Sequence, residues 1–407
     1  MKELVLKKQY LLFLFLICIS FLGDILRRFS FYMNFEFTRY TTVSKVVFII
    51  VGLIYLGINF KQYSKNKKVN KIFLSVLILV FIFLVSRLFI TSYLDYQSIL
   101  NNAEYLAKYL FLPFLIILFI DLKESKKHIK LLIKAFEIIF FANILAIIAG
   151  LVFEIDVFKT YYYGDRFGYK GIYSMSGQTS IYFILMIYYY MHKLIFKIND
   201  KWDLTKCIIT IAVSFCLGTK RIYFILPVLA MYFFFFLKGN NNLKTIKTGL
   251  LFGGLFLFFR EQIIEITIKN KLLFQEIYNE RGLLSSFTSY RSDLLKNIIE
   301  DKSFSNWIYL VGGQDFSKTR SEMGFFDLWL FFGFVGMIVY LGFYKALITF
   351  KRKHHFYWFC LITLIIIVFF ADAFILDTNV PILLFLICSH INIYEKNRET
   401  IKSTVQA

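Results

Sequence analysis

The chain has 407 residues, and its composition excludes a string of soluble domains: hydrophobic types make up 58% and charged types 18%, with 51 Phe and 27 Tyr but only 3 Pro. Soluble domains average roughly half apolar and a quarter charged, whereas the apolar excess here falls in blocks of about 15–22 residues, long enough to cross the hydrocarbon layer as helices. The formal net charge of +20 excludes less than it first suggests, because the basic residues sit between the apolar blocks, where they meet anionic lipid headgroups. Nucleic acid is therefore set aside as a partner, and membrane lipids take its place.

In chain order the apolar blocks fall at 9–23, 46–60, 72–90, 105–120, 131–153, 177–196, 205–218, 221–237, 245–260, 324–344, 356–374 and 380–394. They predict an all-α, polytopic membrane bundle of about 12 transmembrane helices, a single integral membrane domain over 1–407. The first block follows Lys2, Lys7 and Lys8 and resembles a signal peptide. No small-x-small cleavage site follows it, so it is read as a retained helix. Cys18, Cys207, Cys216, Cys360 and Cys388 lie inside apolar blocks without paired spacing, which supports neither a disulfide framework nor a zinc motif. The inverted repeat with broken helices that marks many secondary transporters is not visible.

Orientation follows the Lys and Arg distribution. With the N-terminus inside, segments 1–8, 61–71, 121–130, 193–206, 238–247, 345–355 and 395–407 carry 26 basic residues and the five short outer loops carry 9. Both termini are expected in the cytoplasm. Residues 260–323 form one long extracytoplasmic loop, a length that usually carries function. Within it, 261–278 has the apolar spacing of a surface helix. A second short helix is predicted from Ser289 to Asp301, with Ser289 as N-cap and Asp293 in the first turn. Gly312-Gly313 predicts a turn.

The outer face has no histidine, since His128, His192, His354, His355 and His390 map to inner loops or inner helix ends. A general base there must be a carboxylate, or a shifted Tyr or Lys. Glu322 and Asp327 stand at the start of the tenth block, about 140° apart on a helix, so they form no dyad. The outer cations are concentrated: Arg166 (DRFGYKG), Lys220 and Arg221 (GTKRIYF), and Arg291 with Tyr290 beside it (SYRSDLL). Guanidinium groups match phosphate oxygens bidentately with a permanent charge, so these residues suit a lipid diphosphate. Arg87 and Lys108 read as snorkelling side chains, Lys134 and Glu137 as a local ion pair, and Tyr161 to Tyr163 as an interfacial aromatic belt. No metal or cofactor is called for.

The stretch EMGFFDLWLFFGFVG, with Glu322-Met323, nine residues, Gly333, two residues and Gly336, resembles the His-[Asn/Ser/Gln]-x9-Gly-x-x-Gly motif of bacterial O-antigen ligases, with Glu in the His position. Upstream, Arg291 to Leu295 resembles the Arg-x3-Leu element of the same loop, GTKRIYF the family's Ser/Thr-x-x-Arg turn, and GIYSMSGQTS its polar entry to a middle helix. A carboxylate at the motif position is more similar to the Wzy-type polysaccharide polymerases. The resemblance implies a metal-independent, multi-span glycosyltransferase of the bacterial cytoplasmic membrane. It would polymerise polyprenyl-diphosphate-linked oligosaccharide repeat units into O-antigen or capsule, with a chain-length regulator and a flippase as partners. Glu322 is the expected base, Arg291 and Arg221 complete the catalytic set, and Arg166, Lys220, Asp327 and Tyr290 bind substrate. The competing readings are a lipid-linked oligosaccharide flippase or other 12-span transporter, and the ligase itself.

Overall fold

The computed structural model describes residues 2–37, 39–90, 96–161, 167–236, 272–300, 307–349, 354–370 and 374–406. Among these the chain is helical throughout, with one isolated bridge between Lys159 and Tyr169 and no strand. The helices are α1 (Lys2–Tyr32), α2 (Tyr40–Ile58), α3 (Phe60–Ser64), α4 (Lys67–Ile90), α5 (Tyr96–Leu118), α6 (Lys126–Val152), α7 (Ser176–Ile195), α8 (Asp203–Ser214) and α9 (Lys220–Phe236). After them come α10 (Leu272–Thr288), α11 (Arg291–Glu300), α12 (Trp307–Val311), α13 (Gly324–Leu347), α14 (His355–Phe370) and α15 (Val380–Gln406).

Among the described residues five helices are long and apolar enough to cross a membrane: Glu3–Tyr32, Tyr40–Ile58, Lys67–Arg87, Lys126–Val152 and Gly324–Leu347. α14 is apolar but shorter. The block at 245–260 and the first half of the expected surface helix lie outside the described residues.

Side-chain exposure separates lipid-facing helices from central ones. α2 leaves Val43, Ile50, Leu53, Ile54 and Ile58 exposed, and α4 leaves Phe73, Leu74, Leu77, Phe81 and Leu84 exposed. Apolar surface of that extent is a membrane or partner face. α7 is the opposite case, buried at every position from Gln178 to Lys193. A helix apolar on all sides belongs in a core, and Tyr190 within it donates from its hydroxyl to Glu137 Oε1 at 2.7 Å. Glu137 also receives Lys206 Nζ at 3.2 Å on each oxygen. The expected local pair with Lys134 is thus replaced by contacts between helices, which satisfy a buried carboxylate better than a solvated neighbour on its own helix.

The connections gather at two ends. At the first, Arg28 donates to the carbonyls of Val157 and Lys159, and Asp24 accepts from Ser174 Oγ at 2.6 Å and Asn379 Nδ2 at 3.1 Å. At the second, Gln9 donates to the Tyr63 hydroxyl at 2.9 Å and accepts from Leu122 N–H at 2.9 Å. There too Tyr357 donates to Glu395 at 2.8 Å. The residues bonded at the first end, Asp24, Arg28, Val157, Lys159, Ser174 and Asn379, come from segments expected outside or beside them, and Gln9, Tyr63, Leu122, Tyr357 and Glu395 from those expected inside or beside them.

α13 is broken at Gly333, whose φ of 68° and ψ of −179° fall in a region open essentially to glycine alone. The break frees two carbonyls, and the chain after α12 uses them: Gly313 N–H donates to the Phe331 carbonyl at 3.2 Å and Gln314 N–H to that of Leu330 at 3.1 Å. The expected turn at Gly312-Gly313 is this crossing. A Cβ on Gly333 would run into the Leu310 carbonyl, and one on Gly312 into that of Phe331.

Gly333→Ala is therefore expected to destabilise the full-length protein in detergent by about 2–4 kcal/mol, through strain and overpacking together. Gly342→Ala, where nothing lies within 4 Å of the new methyl, should leave the melting midpoint unchanged. Equal melting of the two variants would show that the crossing does not hold the helix break.

Candidate functional site

The site begins at the turn into α9. Gly218 has φ 64°, and a Cβ there would collide with the Phe167 carbonyl, so glycine admits the 167–170 segment against the end of α8. That segment is docked by Tyr169 N–H on the Cys216 carbonyl and Thr160 N–H on the Gly168 carbonyl, both at 2.7 Å. α9 then opens on Lys220 and Arg221, cations at the positive end of a helix dipole, which costs about 0.3–1 kcal/mol per charge. Both are held by acceptors. Lys220 Nζ donates to the Ser286 carbonyl and, at 3.2 Å, to Ser289 Oγ, while Arg221 Nη1 donates to the Gly177 carbonyl at 3.1 Å.

Ser289 and Tyr290 take φ of 55° and 66° and reverse the chain between α10 and α11. Ser289 was expected to cap α11; instead its hydroxyl receives Lys220, and Thr288 Oγ1 accepts from Ser292 N–H at 3.3 Å. Two consecutive left-handed residues move the cap one position upstream. Asp293 lies in the first turn as expected and accepts from Ser285 Oγ at 3.0 Å. Arg281 stacks over the Tyr290 ring at 5.4 Å.

Arg291, the first residue of α11, meets the motif glutamate: its Nε lies 3.3 Å from Glu322 Oε2, and Arg320 Nη2 lies 4.0 Å from Oε1. Glu322 has φ 57°, and its neighbours explain why. Ser321 turns inward, donating N–H and Oγ to Asp327 Oδ1 at 2.8 and 2.6 Å, and Met323 is buried. With both neighbours anchored inside, the glutamate is everted, 43% exposed, between two guanidiniums. Among the described residues six non-glycines have positive φ, and three of them, Ser289, Tyr290 and Glu322, belong to this site. Such strain persists only where surroundings enforce it, and it concentrates at functional sites.

A second set of bonds fixes the segment that carries Glu322. Arg87 Nη2 donates to Asn102 Oδ1 at 3.0 Å and to the Gln314 carbonyl at 2.8 Å. Asn102 Nδ2 donates to Asp315 Oδ1 at 2.6 Å, and Ser98 Oγ to Asp315 Oδ2 at 2.8 Å. Arg87 is therefore a buried latch, not the snorkelling side chain expected, because it is met by Asn102 of the next helix and by a carbonyl from a segment 227 residues away. Lys108, also expected to snorkel, pairs with Glu104 at 2.8 Å and rests over Tyr105. The Asp315 carboxyl is held down to about 2: burial raises it, but hydrogen bonds from Ser317, Asn102 and Ser98 outweigh that.

Of the expected site residues, Lys220, Arg221, Tyr290, Arg291 and Glu322 form one chain of contacts at the first end. Asp327 is fully buried and anchors the Ser321 turn, so it positions the site from inside instead of facing a ligand. Arg166, Tyr162 and Tyr163 lie outside the described residues. Sequence reading missed Arg320, although it stands two residues before Glu322. It also missed the Arg87–Asn102–Asp315 latch, whose partners share no local pattern. The polar entry to α7 belongs to the same end: Asp24 accepts from Ser174 and, at 2.8 Å, from Gln178, beside a cavity of about 20 Å³. That is room for one water. Burial pushes the neighbouring Lys170 ammonium down to about 7, with Arg28 and Arg27 adding to the effect and Asp24 opposing it. Among the described residues no three His, Cys, Asp or Glu converge.

Because the Asp315 carboxyl lies below its ordinary 3.8, its stabilisation is present above about pH 4 and is lost as the pH falls toward 2. Asp315→Ala is expected to lower stability at neutral pH by about 1–3 kcal/mol and to flatten the melting curve's pH dependence across that window. An unchanged acid limb would remove the latch.

Compared with known proteins, the chain matches no protein family, no curated protein and no solved structure.

Proposed function

We propose that the protein is a Wzy-type glycosyltransferase that polymerises polyprenyl-diphosphate-linked oligosaccharides on the outer face of a bacterial cytoplasmic membrane, threading the bilayer about 12 times with both termini inside. The observation that carries this reading is the everted Glu322 carboxylate between Arg291 and Arg320, linked through Tyr290 and Ser289 to Lys220 and hence to Arg221. Such a set provides a base and several permanent cations without a histidine.

The chemistry divides accordingly. The acceptor sugar hydroxyl has a high pKa and needs its proton removed as the new bond forms; Glu322 takes that proton. The acceptor oxygen bonds to the anomeric carbon while the bond from that carbon to the carrier diphosphate breaks. The diphosphate leaves with the electron pair, and the charge developing on it is met by Arg221 and Arg291, which stand ready before reaction and need little reorganisation. Displacement is direct, so the anomeric configuration inverts. The apolar faces of α2 and α4 suit the polyprenyl chains.

Glu322→Gln and Arg221→Ala are expected to leave the protein inserted and to cut transfer at least 100-fold, the usual cost of losing a general base or a charge-stabilising donor. Cells carrying either should accumulate single repeat units. The direct assay places purified protein in bilayers with lipid-linked repeat units on the outer side and no energy source. Chain extension supports the polymerase; label crossing the bilayer would make it a carrier. Normal polymer from both variants removes the site.

A further inference from the structure

Polymerisation joins two lipid-linked molecules, so the function proposed above requires two diphosphates at the first end, and the arginines around Glu322 provide for one. A second group of cations lies across the α7 entry. Gly23 lets α1 and α2 approach closely, since a Cβ there would collide with Ser44 Oγ and meet Thr41 Cα at 3.3 Å. This contact sets Arg27 of α1 beside the first turns of α2, where its Nη1 reaches Thr41 Oγ1 only at 3.4 Å. Lys45, one turn further along α2, is half-buried and has no hydrogen bond or ion pair among the described residues.

Lys45 is not electrostatically alone. It lies in the fields of Asp377 and Asp24, and of Lys108 and Arg27. Both carboxylates are committed to other donors: Asp24 to Ser174, Gln178 and Asn379 Nδ2, and Asp377 to the Asn379 N–H at 2.8 Å. Neither carboxylate reaches Lys45 in a hydrogen bond or ion pair. An ammonium in a lipid-facing helix is costly unless an anion meets it. Lys108 borders the same space from α5, where it pairs with Glu104 at 2.8 Å, its Nζ 4.6 Å from the Tyr105 ring that Arg320 also meets at 5.7 Å. Tyr105 thus links this group to the Glu322 site.

We propose that Lys45, Arg27 and Lys108 form a second anion subsite, which takes the diphosphate of the acceptor lipid. The inference rests on the polymerase reading for the identity of that lipid. A phospholipid headgroup or free diphosphate carries similar oxygens, and the test separates these sources.

Full-length protein in phosphatidylcholine nanodiscs is titrated with polyprenyl diphosphate, and bound equivalents are counted by native mass spectrometry. Two equivalents are expected for the unaltered protein and one for Lys45→Gln or Arg27→Gln, with melting midpoints unchanged. Lys108→Gln, at a partly exposed side chain that also pairs with Glu104, should weaken the second equivalent about 10-fold. One equivalent in the unaltered protein, or two retained in all three variants, overturns the subsite. So does displacement of the second equivalent by phosphatidylglycerol or inorganic diphosphate as readily as by the polyprenyl compound. The measurement reads no glycosyl transfer. A protein that binds two carriers and never joins their sugars would remove the polymerase reading and leave the subsite standing.

Discussion

The first end depends on one backbone crossing. Where α13 breaks at Gly333, two carbonyls leave their helical partners in a region with little water to replace them. An unmatched buried carbonyl costs roughly 1–3 kcal/mol, so the break persists only because Gly313 and Gln314 donate to them. The reciprocal constraint acts on the incoming strand of chain, which passes close enough only because Gly312 and Gly333 both lack a Cβ. From that fixed point the chain enters the Arg87–Asn102–Asp315 latch, turns through Ser321 and reaches Glu322. Each step limits the next, and the carboxylate inherits its place from a contact ten residues upstream.

Charge follows the same economy of placement. Cations of the first end are mostly guanidiniums held by backbone carbonyls or carboxylates, whereas the histidines collect at the second end, where His192 lies against Tyr357 and His390. Inside α7 Tyr188 and Tyr190 are satisfied from neighbouring helices, by Thr363 and Glu137. This pattern is what a low-dielectric interior demands of any polar group that stays. Lys45 and the Glu322 carboxylate depart from it: one lacks a contact partner among the described residues, and the other is exposed with only one contact shorter than 4 Å. Groups kept in that condition are those that a ligand completes.

Much of this was legible in the sequence, and the failures have a common cause. The all-helical architecture and the membrane-length helices among the described residues followed from block length and apolarity. The Gly312-Gly313 turn and the spacing from Glu322 to Gly333 were visible as local patterns; why Gly333 must be glycine was not, because the colliding atom belongs to Leu310 on another element. Arg87 and Glu137 were misread for the same reason. Each was assigned the partner or solvent nearest in sequence, and each is satisfied by a residue from a distant helix or loop. Ser289 had the right chemistry for a cap but the wrong backbone, and Asp327 had the right charge but faces inward.

The glutamate's setting also bears on how one carboxylate can serve where a histidine stands in the ligase motif. A base must be exposed to the acceptor hydroxyl yet kept from swinging into the surrounding cations as a closed, bidentate ion pair. The geometry satisfies both demands: Arg291 approaches through Nε alone, at 3.3 Å, and Arg320 stays at 4.0 Å from the other oxygen. Neither guanidinium presents the two parallel N–H bonds that make the strongest carboxylate pairs. Both guanidiniums still fix the carboxylate's direction. The left-handed backbone at Glu322 enforces this, because a relaxed φ at that residue would release the turn that Ser321 and Met323 hold inward. Strain of about 1–3 kcal/mol thus maintains an incomplete ion pair, the feature on which the proposed roles of these three side chains rest.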